Sequence, residues 1–185
     1  MSPATPSPSP LVRPAELDGS RPLPAPDGHT EAELAALLGL LTAARPRVHT
    51  ITLGHSRDDA SRAATEAFAE AWRDRGGSVL AVTDWPEQAA SWLRPARRFT
   101  ALAPDAWVVA AAPLGWVQMA RRLRQSTAWA PDRTFGFAAL AEPRAIALAG
   151  PDTLHGLRGA TADGSAWEVR HGRLTTRLPQ NGNTR

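Results

Sequence analysis

Residues 48–112 read VHTITLGHS, RDDASRAATEAFAEAWRDRGG, SVLAVTDWP, EQAASWLRPARRFTALA and PDAWVVAAA. Short apolar runs alternate with helical spacing, which predicts strand, helix, strand, helix, strand. The strands fall at about Val48–Leu53, Val79–Thr83 and Ala106–Ala111. Each is an apolar run of the kind buried between two layers. Each helix is long enough to bring the chain back for a parallel partner. Open parallel sheets bind ligands at the carboxyl ends of their strands, so chemistry is expected just after Leu53, Thr83 and Ala111.

Upstream, Thr30 and Glu33 have capping-box spacing, and Leu34, Leu37, Leu38 and Leu41 form a stripe that Pro46 ends. This helix packs either on the core or on a second copy of the chain. Before it, residues 1–28 are dense in proline and serine and are expected to form a disordered tail. Within the quoted stretch, Ser56 is placed as cap of the second helix, with Asp59 three residues on. Gly76-Gly77 closes that helix. Pro86 opens the third helix and Pro95 kinks or breaks it. Downstream, the pattern predicts a helix over Leu114–Gln125 with Arg121, Arg122 and Arg124 on its exposed face. A strand over Thr134–Phe137 and a short helix over Pro143–Ala149 follow. Asp163-Gly164 and His171-Gly172 are turns between short antiparallel strands. The organisation is thus a tail (1–28), an amphipathic helix (29–46), an α/β domain (47–178) and a flexible C-terminus (179–185). The fold class is a three-layer, Rossmann-like α/β domain with a parallel core sheet.

Composition narrows the function. The chain has no cysteine, which excludes disulfides and thiolate metal sites. All 21 basic residues are arginine and alanine is abundant, a bias of GC-rich coding. The net charge is only +3, too small to argue for nucleic acid, and Arg97, Arg98, Arg121, Arg122 and Arg124 read as solvated helix faces. No apolar run is long enough to span a membrane. No signal peptide is visible, so a cytoplasmic location is expected. The sequence lacks G-x-G-x-x-G after the first strand, a P-loop, H-E-x-x-H and G-x-S-x-G. The histidines are too scattered for a metal site, and no cofactor is expected.

The candidate ligand site comprises His55, Ser56, Arg57, Trp85, Pro113 and Trp116, all in or beside loops after the first three strands. Ser56 and the amides at the start of the second helix suit an anionic group, and Arg57 adds charge. Trp85 and Trp116 would wall the pocket, with core packing as the competing role. The expected ligand is a small anionic solute. No residue is assigned a catalytic role.

Four stretches carry a family resemblance between Val48 and Thr161. They are RAATEAFAEAWRDRGGSVLAV, SWLRPARRFTALAPDAWVVAA, LGWVQMARRLRQSTAWAPDRTFGFAAL and LAGPDTLHGLRGAT. Their order resembles one lobe of a type 1 periplasmic binding protein, in particular the branched-chain amino acid or urea-type substrate-binding component of ABC transporters. That family has two lobes with solute in the cleft between them, and this chain has length for one. The resemblance implies a non-enzymatic solute-binding module. The alternatives are a regulatory or structural interaction protein that kept the lobe without its ligand, and an enzyme on a Rossmann-like sheet. A lone lobe exposes the face that a second would oppose, so a homo-oligomer or a protein partner is expected.

Overall fold

The first helix among the described residues, α1 (Glu31–Ala43), begins where the sequence places it. The Thr30 side chain accepts from the Glu33 amide and the Glu33 carboxylate accepts from the Thr30 amide, completing the capping box. Its stripe, Leu37, Leu38 and Leu41, is buried in this chain's own core, which decides between core and second copy. The computed structural model describes residues 11–12 and 21–177. The rest of the expected tail, and the C-terminus 179–185, lie outside the described residues.

Then follow β1 (Thr50–Ser56), α2 (Asp59–Asp74), β2 (Ser78–Trp85), α3 (Leu93–Thr100), β3 (Ala106–Ala110), α4 (Pro113–Ser126), β4 (Thr134–Gly136), α5 (Pro143–Ala149), β5 (Arg158–Ala160), β6 (Ala166–Arg170) and β7 (Arg173–Arg177). Short 3-10 turns precede and follow β4. The strands form one sheet in the order β2-β1-β3-β4-β5-β6-β7. Strands β1 to β5 pair in parallel, and β6 and β7 add antiparallel. The β6–β7 hairpin turns through His171 (φ 48°) and Gly172 (φ 71°), the two left-handed positions of a type I′ turn.

The sheet is the middle of three layers. On one face Ile51, Leu53, Val108 and Phe135 pack under α1 and α2 with Phe68 and Trp72. On the other, Trp107, Val109 and Trp167 pack under α3, α4 and α5 with Phe99, Leu123 and Ile146. Strand β3 is buried on both faces, so its sequence is a continuous apolar run.

Local readings were corrected in three places. Strand β1 runs through Gly54, His55 and Ser56, because they pair in register with Thr83, Asp84 and Trp85 of β2. The turn expected there starts at Arg57, and Asp58 caps α2 by accepting from the Ser61 amide. Helix α3 begins only at Leu93. The exposed residues Glu87 to Ser91 have no apolar face to bury. A helix begun earlier would also set the Pro95 ring against the carbonyl of Ser91. Pro95 therefore sits in a first turn and kinks nothing. Finally, Arg121 faces inward and is 4% exposed, because its guanidinium donates to the carbonyls of Leu11 and Leu148. The end of α2 holds as read: Gly77 N–H donates to Trp72 O and Gly76 N–H to Arg73 O, with Gly76 left-handed.

Candidate functional site

The chain passes from β1 to β2 on one side, then crosses to β3 on the other side of β1. That reversal makes the carboxyl ends of β1 and β3 the topological switch point, where open α/β sheets form a crevice. One residue ties the two ends together. The fully buried Ser56 Oγ accepts from the Ala112 amide at 2.7 Å and donates to the Asp58 carboxylate. Ser61 Oγ lies 3.1 Å away on the same hydroxyl. Burial opposes ionisation of Asp58, but the hydrogen bonds from Ser56 and Ser61 outweigh it and hold the carboxyl below its usual range.

A cavity of about 260 Å³ lies at this edge. Its floor is Ala110 and Ala111 at the end of β3, and Phe137 and Ala138 after β4. One wall is Ser61 and Ala64 of α2 with Glu33 of α1. Residues 24–29, a strap without regular secondary structure that precedes α1, complete the lining. A larger groove of about 830 Å³ continues beyond the strap, between Ala112–Leu114 and α5. Pro24, Ala25 and Pro113 border both spaces.

The cavity lining carries Asp27, Glu33 and Glu142 together with His29, and no arginine among the described residues. Glu33 is 3% exposed, and its Oε1 accepts from the Ala138 amide at the cavity floor. Burial pushes its carboxyl above the usual glutamate range, only partly offset by the amides of Ala138 and Thr30 and by nearby His29.

Of the six residues expected at the site, Pro113 borders the cavity. His55 and Ser56, expected in the turn after the first strand, lie within β1, Arg57 follows it, and none of the three is a lining residue. His55 is half-buried in the sheet with Nδ1 2.8 Å from the Ser56 carbonyl. Ser56 spends its hydroxyl on Asp58 and Ala112. The Asp58 carboxylate, bonded to the Ser61 amide, fills the helix start that was expected to hold an anion. Arg57 is 61% exposed in its side chain and pairs with Asp84 at 2.6 Å. That hydrogen bond holds the Asp84 carboxyl below its usual range against the opposing effect of burial. Trp85 and Trp116 do meet, with ring centroids 6.2 Å apart, but at 0% and 1% exposure they are core. Trp85 packs edge-on to Phe99 and Trp116 edge-on to Trp129.

The residues missed are Glu33, Glu142 and the strap. The capping box accounted for Glu33 so fully that its second oxygen went unconsidered. The strap's prolines masked Leu23, the one large apolar side chain in residues 21–29, which packs against the core.

No protein-family model matches the sequence, and no curated protein matches it. Solved structures do. A substrate-binding periplasmic protein of Ralstonia solanacearum matches at 19% identity and TM-score 0.61, over 83% of this chain and 43% of that one. A branched-chain amino acid ABC transporter protein of Rhodospirillum rubrum matches at 22% identity and TM-score 0.58, over 70% and 36%. A leucine binding protein of Thermotoga maritima matches at 14% identity and TM-score 0.56, over 69% and 36%. The chain therefore has the type 1 periplasmic binding fold and spans about two fifths of these proteins' length or less. The resemblance read from the sequence holds for the fold. The cytoplasmic location does not stand. Structures sharing the fold are described as a periplasmic protein and as extracellular ligand-binding receptors.

Proposed function

We propose that the chain is a non-enzymatic binding module that takes a small solute in the cavity at its switch point. The observation that carries this is the cavity's position at the carboxyl edge of the sheet, floored by the ends of β3 and β4 and walled by the start of α2, the helix that leaves β1 at the switch point. Its volume lies below the ~300–1,000 Å³ of pockets for drug-sized ligands, so the solute is small. The charge of the lining revises the expected ligand. Arg57 is paired elsewhere and the α2 start is filled by Asp58. Asp27, with the buried Glu33 and the Arg144-paired Glu142 on the same lining, favours a solute that presents an amine or other hydrogen-bond donors. Alanines and Phe137 supply the apolar walls.

The neighbours' descriptions name branched-chain amino acids and leucine, which makes these the first probes, with their decarboxylated amines beside them. The test is thermal unfolding of the full chain with each probe. A solute at a hundred times its dissociation constant adds about 2.7 kcal/mol. For a domain of this size that is a rise of roughly 5–11 °C. The reading predicts such a rise for an amine-bearing probe. No rise with any of them counts against it.

A second reading, an interaction protein that kept the lobe without a ligand, draws on the open edge of the sheet. Among the described residues strand β2 has no outer neighbour, and it exposes Leu80 and Val82. Self-association that depends on concentration in sedimentation, abolished by Val82→Lys, would favour it. A monomer throughout would not.

A further inference from the structure

The strap over the carboxyl edge is attached in an unusual way for a segment that walls a cavity. Among the described residues, no main-chain hydrogen bond joins residues 21–29 to the rest of the molecule. Its attachment is by side chains. The Arg144 guanidinium forks onto two consecutive carbonyls, Nη1 to Arg21 O at 2.6 Å and Nη2 to Pro22 O at 2.9 Å. Its Nε donates to Glu142 Oε1 at 3.3 Å, which fixes the plane of the fork. Leu23, half-buried, is the apolar anchor beside it. Pro22, Pro24 and Pro26 stiffen the segment and remove donors it would otherwise have to satisfy. At its far end Gly28 is exposed, and a side chain there would meet nothing within 4 Å. The segment thus has a latch at Arg144 and a joint at Gly28, which no neighbouring side chain constrains, before His29 packs edge-on to Phe137 and Thr30 caps α1. Upstream, Val12 is buried in the core with its amide donating to Gln118, so the segment lies between two anchors.

We infer that residues 21–29 are a hinged cover for the switch-point cavity, pivoting near Gly28 and latched by Arg144 and Glu142. Opened, the strap uncovers the buried Ala110, Ala111 and Phe137 and merges the cavity with the groove beyond. Closed, it completes the wall around whatever occupies the cavity. The use of the cover rests on the proposed solute site, but the latch itself can be tested with no solute present.

The chain contains no cysteine, so one introduced thiol is an unambiguous reporter. Ala111→Cys places it on the cavity floor, at a position 1% exposed. Its reaction with a small thiol reagent is followed in the full chain, with Arg144→Ala or Leu23→Ala added. Ala110→Cys, at a position 3% exposed, is a second reporter on the same floor. Loss of the fork removes at least one charge-assisted hydrogen bond and should speed labelling about tenfold or more. The urea midpoint of unfolding should stay where it was. Labelling unchanged in both variants overturns the inference. So does a rise that tracks a lowered midpoint, since the thiol would then be reached only by global unfolding. Failure of the solute probes with a working latch would sink the proposed function and leave the cover in place.

Discussion

Ser56→Ala separates the role the structure gives this residue from the one expected of it. A ligand-contacting serine in a loop would contribute little to stability. Here the hydroxyl is buried at the switch point, and its loss has two parts. The Ala112 amide loses its acceptor, and leaving a buried donor unpaired costs about 1–3 kcal/mol. The Asp58 carboxylate loses one of its donors, a contribution of about 1 kcal/mol after allowing for its partial exposure. The expected destabilisation is therefore about 2–4 kcal/mol. Urea unfolding followed by tryptophan fluorescence reads it, as a lowered midpoint with an unchanged slope. A change below about 0.5 kcal/mol, the size of an ordinary surface substitution, would falsify the assignment of Ser56 as a structural tie.

Other expectations follow from the same geometry. Trp85→Ala should cost about 3–5 kcal/mol by the same assay, as for a fully buried aromatic, where a mere pocket wall would leave the midpoint in place. Gly159→Ala sets a Cβ 1.9 Å from the Gly136 carbonyl and 2.4 Å from the Trp167 ring, so β4 and β5 must separate. Its cost should reach or pass the ~1–3 kcal/mol of ordinary overpacking, seen as a lost or much lowered thermal transition. Stability against pH should pass through a maximum in mild acid. Glu33 is raised in the fold, so its contribution grows as pH falls toward the ordinary glutamate range, about 4.3, and Glu33→Gln should flatten this limb. Asp58, Asp84 and Asp105 are lowered in the fold, so what they contribute is present above the ordinary aspartate pKa, about 3.9, and is lost as pH falls below it.

The three layers and the parallel core were legible because they rest on periodicity. The apolar run of β3 and the Leu37–Leu41 stripe mean the same thing in any context. The helix ends marked by Thr30–Glu33 and Gly76-Gly77 rest on local hydrogen bonds and were equally readable. The start of α2 was not, since Ser56 and Asp58 are both good caps, and only pairing with β2 shows that Ser56 is still strand. The site was least legible, because it depends on partners far away in sequence. Arg57 looks like a free charge until Asp84 is seen beside it. Trp85 and Trp116 look like loop aromatics until α3 and α4 close over them. The strap is proline-rich chain of the kind that stays unfolded, and only Arg144, more than a hundred residues away, shows what fastens it.

The central claim is that a small solute binds at the carboxyl edge of the sheet, beneath the strap. Amide chemical-shift mapping of the isotope-labelled full chain, titrated with the solute that raises its melting temperature, tests this most directly. The account predicts shifts gathered on residues 24–29, Glu33, Ser61, Ala110, Ala111 and Ala138, with lines of the strap sharpened as it closes. Shifts gathered at the opposite edge, around His49, Asp105 and Arg133, would contradict it, as would binding untouched by Glu33→Gln.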